Sequence, residues 1–216
     1  MPENLREALQ SLLGPSFELR RELGGGGMSR VFVAYEPALK RDVVVKVLPT
    51  DLFSTKSAER FQREVETTAR LQHPHILPVV TAGGSARLRY YVVPYIAGGS
   101  LRDRLDSGDR PAFEEATTLI GELLAAVAFA HERGIVHRDI KPANVLIAEG
   151  HAVLADFGIA QAVAAAQAAD GLVESSVAPP EAYLAPERPT DTAADLFAVA
   201  ALSHELLTGE LAAGGV

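Results

Sequence analysis

Apolar positions change their period repeatedly along this chain, and each change marks a predicted element. Residues 3–13 form a short predicted helix, ended by Gly14-Pro15. Phe17 to Leu23 reads as a strand running into Gly24-Gly25-Gly26-Gly27-Met28-Ser29, and Val31-Phe32-Val33-Ala34-Tyr35 reads as a second strand. Val43-Val44-Val45-Lys46-Val47-Leu48 is a third, with Lys46 on the face of Val44 and Leu48. From Ala58 to Leu71 the spacing predicts a helix, with Phe61, Val65 and Ala69 as its inward stripe. His73-Pro74-His75-Ile76-Leu77-Pro78 ends that helix and starts another strand, and Tyr90 to Leu101 reads as strand and then linker. Pro111 to Arg133 is a predicted helix with a stripe of Phe113, Ala116, Ile120, Leu123/Leu124, Val127 and Ala130, and Gly134 closes it. Val145-Leu146-Ile147 and Val153-Leu154-Ala155 flank Glu149-Gly150-His151 as a hairpin. Asp195 to Thr208 is apolar nearly all round, which predicts a buried helix.

Polar residues inside these patterns carry the first chemical hints. The glycine run alone fits a plain flexible turn. A β-branched run follows it, whereas a P-loop or dinucleotide turn leads into a helix, so the expectation is a strand–loop–strand flap. Lys46 between apolar neighbours either snorkels at a sheet edge or is held by a carboxylate and a phosphate. Glu64, beside the Phe61–Val65 stripe, is the obvious carboxylate, with generic surface charge as the alternative. His73 and His75 resemble a metal pair only superficially, since Pro74 favours extended backbone and no third ligand is near in sequence.

Composition narrows the field. The 216 residues are 48% hydrophobic and 22% charged, enough for a real core. A net charge of −8 argues against a general nucleic-acid binder. There is no cysteine, so disulfides and Cys-based zinc sites are excluded. No signal peptide and no membrane-length apolar segment is read, so the expectation is a cytoplasmic protein.

The most specific segment is His137-Arg138-Asp139-Ile140-Lys141-Pro142-Ala143-Asn144, followed by Asp156-Phe157-Gly158. The intervening hairpin brings its outer ends together, so Asn144 and Asp156 meet. Two oxygen ligands at one point suit Mg²⁺, which takes few protein groups and completes its shell with phosphates and water. Here the chain resembles the Hanks-type protein kinases, of the serine/threonine kind common in bacteria.

That resemblance implies an α+β, protein-kinase-like bilobal fold: an extension at 1–16, a small β-rich N-lobe at 17–96, and a mainly helical C-lobe at 97–216 lacking its last helices. It implies transfer of the ATP γ-phosphoryl group to Ser/Thr hydroxyls of a protein substrate. Asp139 would be the base and Lys141 the γ-phosphate contact. Lys46 would hold the α/β-phosphates, paired with Glu64. Asn144 and Asp156 would hold Mg²⁺. Leu23, Gly24, Gly26, Gly27, Val31, Val44 and Leu146 would line the nucleotide. The Pro94 carbonyl and Ile96 backbone would meet the adenine edge, with Val93 as gatekeeper; a plain interlobe linker is the alternative. Gly24 and Gly26 match the first two family glycines, and Ser29 stands where the third would be. His137 and Phe157 would pack internally. Arg138 would hold the activation segment, and Asp195 the backbone of the catalytic loop.

The chain also departs from the family pattern. Pro179-Pro180-Glu181 precedes Tyr183 where the family carries a Gly-Thr-Pro-like triplet, and Pro180 cannot supply the Thr hydroxyl. Ser175 and Ser176 are candidate phosphorylation sites or ordinary loop serines. Only eight positions separate Glu187 of Ala185-Pro186-Glu187 from Asp195. Two rival expectations follow: a pseudokinase that binds nucleotide and signals by shape, or an incomplete kinase fragment. Leu196, Phe197, Val199, Leu202, Leu206 and Leu207 wrap around the Asp195–Thr208 helix, and because the lobe covers only one side of it, the fragment reading implies self-association through the side left uncovered.

Overall fold

In the first helix, α1 (Pro2–Leu13), Leu5, Leu9, Leu12 and Leu13 recur at helical spacing, and Gly14 (φ +58°) turns the chain into the first strand. The computed structural model describes residues 2–26, 29–49, 62–63, 65–85, 88–157, 183–184 and 192–211. Two compact units emerge from its internal contacts. A sheet unit holds the described residues of Met1–Ala69 and Pro78–Tyr95, and a helical unit those of Arg70–Leu77, Ile96–Ala162 and Val177–Val216.

The sheet unit is an antiparallel five-stranded sheet in the order β1 (Glu18–Gly26), β2 (Ser29–Glu36), β3 (Arg41–Pro49), β5 (Leu88–Pro94), β4 (Thr81–Gly84). β1 runs through the first glycines, to the pair Gly26 and Ser29, so the expected strand–loop–strand flap is present up to its tip. Period-two alternation sorts the side chains. Phe32, Ala34, Val43, Val45, Val47, Leu88 and Val92 share one buried cluster with Leu9 and Leu13 of α1 and Phe17. Val44, Lys46 and Leu48 take the opposite face of β3.

The helical unit holds α2 (Leu101–Asp106), α3 (Phe113–His131), the hairpin β6 (Val145–Ala148) and β7 (His151–Leu154), and α4 (Thr192–Thr208). Ser100 and Asp103 form a reciprocal capping box at the start of α2, and the hydrogen bond from Ser100 holds the Asp103 carboxyl below its usual range. The β6–β7 turn has positive φ at both Glu149 (+52°) and Gly150 (+88°), the geometry that closes a two-residue hairpin. α3 and α4 pack against each other around Leu119, Leu123, Val127, Val199 and Leu202.

Several predicted details are corrected. Helical backbone is described at 62–63 and 65–68 and ends before Leu71; its buried positions are Val65 and Thr68, and Ala69 is exposed. Spacing of three suits a final turn, so the stripe leaves through Thr68. Ile76 makes a single bridge to Leu154, and the strand expected after Pro74 begins only at Thr81. Phe113 is 72% exposed and Leu124 42%, because the buried stripe of α3 starts a turn later and runs through Ala116, Leu119, Leu123 and Ala126. α4 is not buried all round: Val199, Leu202 and Leu206 are covered, whereas Leu196 and Leu207 are about half exposed. Among the described residues no helix is long and apolar enough to cross a membrane.

Candidate active site

Asp195 organises the polar centre of the helical unit. Its side chain is 1% exposed and sits in the first turn of the apolar helix α4, so its charge needs donors. Oδ2 accepts the His137 N–H (2.8 Å) and lies 2.7 Å from His131 Nε2, while Oδ1 accepts the Arg138 N–H at 2.7 Å. One carboxylate thus pins the backbone where the His137–Asn144 segment begins. Arg138 itself stands at φ +67°, a conformation that non-glycine residues adopt only when surroundings enforce it.

The next residues converge on Asp139, which is 7% exposed. Lys141 Nζ donates to Oδ1 at 2.9 Å, and Asn144 Nδ2 donates to Oδ2 at 2.8 Å and to the Asp139 carbonyl at 2.7 Å. Both carboxylate oxygens are therefore oriented by neighbouring donors. His137 is fully buried; its Nδ1 accepts the Asp139 N–H (3.2 Å), so its Nε2 donates to the Ala155 carbonyl (2.8 Å). Its ring meets Phe157 edge-on at 4.6 Å, as the packing role for both residues requires.

Asn144 and Asp156 flank the hairpin. Val145 pairs with Leu154, and the Ala155 N–H donates to the Asn144 carbonyl at 2.9 Å, which carries the ladder to the residue before Asp156. Asp156 adopts φ +66°. The amide nitrogen of Asn144 is engaged by Asp139, which leaves its oxygen as the acceptor. An amide oxygen beside a carboxylate-bearing residue is a hard-oxygen donor set of the kind Mg²⁺ takes. Among the described residues no group of three or more His, Asp or Glu is placed to hold a metal by itself.

In the sheet unit, register collects further predicted residues. Gly24 pairs with Val31, Val31 with Lys46, and Lys46 with Tyr91, so glycine strand, Val31 and Lys46 lie in one cross-strand row. Val44 lies in the row Val33, Val44, Val93. Lys46 sits on the central strand, which removes the reading of a lysine snorkelling at a sheet edge. Leu23 is 43% exposed, and Pro94 ends β5 opposite Val43. Ile96 and Leu146 are half-buried in the helical unit. Gly98 follows, held where a Cβ would lie 2.1 Å from the Ile147 carbonyl oxygen, and Ile147 N–H donates to Gly99 C=O. Gly27, Glu64, Ser175, Ser176, Pro179, Pro180 and Glu187 lie outside the described residues.

Sequence reasoning missed one network. Tyr183 donates its hydroxyl to Glu205 Oε2, and Arg102 Nη2 reaches Glu205 Oε1 (2.7 Å) and the Tyr183 hydroxyl (2.9 Å). Glu205 is only 6% exposed on α4. Burial, reinforced by that carboxylate, pushes the Tyr183 hydroxyl well above the usual tyrosine range. Burial opposes the charge of Arg102, but its hydrogen bonds to Glu205 and Asp106 outweigh it. The available signal was a glutamate inside an otherwise apolar helix.

A β-sheet unit with a glycine-ended hairpin, together with a helical unit carrying an oriented His-Arg-Asp segment, is the protein-kinase fold. The family model for the protein kinase domain matches residues 17–214, and the chain belongs to that family. Its curated relatives include the serine/threonine-protein kinase PknB of Mycobacterium leprae, 36% identical over 92% of this chain. PknB of Mycobacterium tuberculosis is 37% identical over 93% of it, and the probable serine/threonine-protein kinase SCO3848 of Streptomyces coelicolor 36% over 91%. The chain spans about a third of these relatives' own length, 33%, 33% and 30%. Among solved structures, that of Rad53 1-466 in complex with AMP-PNP aligns at a TM-score of 0.75 with 24% identity, covering 91% of this chain and 49% of that one; the likeness concerns the fold.

Proposed function

We propose that the chain is the kinase domain of a serine/threonine-protein kinase, transferring the γ-phosphoryl group of ATP to Ser/Thr hydroxyls of protein substrates. The observation that carries it is Asp139, a buried carboxylate whose two oxygens are oriented by Lys141 and Asn144, on backbone pinned by Asp195. That arrangement suits a group that orients an acceptor hydroxyl and takes up its proton. Lys141, 2.9 Å from Asp139, is positioned to neutralise charge on the transferred group. In the sheet unit, Gly24 and Gly26 offer backbone N–H groups without a Cβ in the way, and Lys46 supplies a cation in the row of Gly24 and Val31. Leu23, Val31 and Val44 give the sheet unit an apolar surface suited to the base and Pro94 a carbonyl, while Ile96, Leu146, Gly27 and Glu64 enter the set by resemblance alone. Asn144 and Asp156 would hold Mg²⁺, which when bound neutralises phosphate charge. The reading places the domain in the cytoplasm, where ATP is.

Mg·ATP at about 100 times its Kd should raise the Tm by roughly 5–10 °C. Lys46→Ala should shrink that shift, and Asp156→Ala should remove its dependence on magnesium. Asp139→Asn should abolish incorporation of radiolabelled phosphate into substrate while keeping the ATP-induced shift. Equal incorporation by wild type and variant would refute the assignment of Asp139. The second reading, a nucleotide-binding pseudokinase, is favoured by Pro179-Pro180. It predicts the thermal shift with no phosphate transfer by the wild-type chain.

A further inference from the structure

Helix α1 lies ahead of the residues matched by the family, which begin at residue 17, yet it is joined to the glycine-bearing strand by an unusual set of bonds. Among the described residues β1 is an edge strand, and the outer backbone groups of residues 17–20 have no strand partner there. Gln10 supplies one. Its Nε2 donates to the Phe17 carbonyl (2.9 Å), and its Oε1 accepts the Leu19 N–H (2.9 Å). An acceptor and a donor two residues apart are what one residue of a parallel strand opposite Glu18 would engage. Next to it, Arg6 Nη2 donates to the carbonyls of Leu19 (2.9 Å) and Arg20 (2.8 Å).

Those two carbonyls sit at a register shift. Leu19 faces Ala34 but Arg21 faces Val33, so Arg20 is an inserted residue, and a second shift lies between Glu22 and Gly24. The combined shifts put Gly24 opposite Val31, in the row of Lys46. A slip of one residue would turn every following side chain of β1 to the other face and move Gly24 out of that row. Leu9 (0% exposed) and Leu13 (4%) anchor α1 in the sheet's buried cluster, so the helix cannot follow β1 if it slips.

We infer that α1 is a register clamp, with Arg6 and Gln10 as positioning residues that hold the bulged strand where its glycines meet nucleotide phosphates. The inference rests on the proposed nucleotide site. The clamp keeps nearly all molecules in the binding-competent register, and loosening it lowers apparent affinity in proportion to the competent fraction lost.

The test uses Gln10→Ala, Arg6→Ala and the double variant in the full chain, with Ser11→Ala on the exposed side of α1 as control. Alanine favours helix, so α1 itself is retained. The expected result is an ATP Kd weakened by about three- to tenfold, with kcat within about twofold of wild type and Arg6→Lys recovering most of the loss. Amide exchange at Glu22–Gly26 should accelerate in the same order. Unchanged nucleotide affinity in the double variant would overturn the clamp. If wild type binds no ATP, the nucleotide site falls, and exchange alone decides: unchanged protection at Glu22–Gly26 in the double variant overturns the clamp, and accelerated exchange there supports it.

Discussion

At the scale of single residues, this protein concentrates strain and buried charge in a few places. Arg138 and Asp156 both stand at positive φ, and Asp139, Asp195 and Glu205 are all buried below one-tenth exposure. Each buried carboxylate is answered by named donors, which is the condition for its presence. Asp195 is the most exacting, because its two oxygens serve two consecutive backbone N–H groups and His131. Asp195→Asn turns an N–H donor toward one of those groups and leaves it unpaired. We expect a loss of about 3 kcal/mol in urea denaturation, together with loss of phosphoryl transfer. A variant with wild-type stability and activity would show that the pinning is dispensable. The role of Asp195 was legible from the sequence once an aspartate was seen opening an apolar helix. The Arg102–Glu205–Tyr183 network was not, since its members lie 81 and 103 positions apart and only packing makes them neighbours.

Among the elements, hairpins read more faithfully than helices. The β6–β7 hairpin and the glycine flap stand where alternation and turn residues placed them, because both signals are local. Helix faces were less certain: Phe113 and Leu124 fit the spacing of α3 but face solvent, since the stripe that counts is the one α4 and the hairpin cover. The stretch after Tyr95 depends on a glycine for a reason that periodicity cannot show. At Gly98 any side chain would meet the Ile147 carbonyl at 2.1 Å. Gly98→Ala should therefore break the Gly99–Ile147 hydrogen bond and cost about 1–3 kcal/mol, as overpacking does. Calorimetry should show a Tm lower by about 2–4 °C per kcal/mol. No change would mean that the 97–100 stretch is free to shift off β6.

For the whole molecule, pH offers a probe through the helical unit. His73 is held below the ordinary histidine value, first by burial and then by the neighbouring charges of His75 and Arg133. Its Nδ1 also accepts the His75 N–H at 3.2 Å, which only the unprotonated nitrogen can do. Nearby, Glu122 holds His151 and the Ala152 N–H, and lies 3.9 Å from His75. Because the unfolded chain binds a proton at His73 more readily than the folded one, stability rises with pH across that window. The contribution of His73 is full above the unfolded value of about 6.5 and is lost as pH falls from there through the lower folded value. Melting curves from pH 8 to 5 should fall on the acid side, and His73→Asn, which keeps an acceptor, should flatten that fall. An identical slope in the variant would remove His73 as its source.

The amino-acid sequence by itself determined the class of this protein and most of its candidate chemistry. The His137–Asn144 and Asp156–Gly158 segments are contiguous, and the residues between them form a hairpin by local rules. Lys46 and the glycines lie on strands whose alternation is visible without a fold. Tertiary structure alone decided the rest. It alone shows that Gly24, Val31 and Lys46 share one row, because two bulges in β1 set that register. It alone puts Arg6 and Gln10 on the edge of β1, and closes Arg102, Glu205 and Tyr183 into one network. Local periodicity tells which face of an element is apolar. Which partner covers that face, and in which register, is set by packing between residues far apart in the chain.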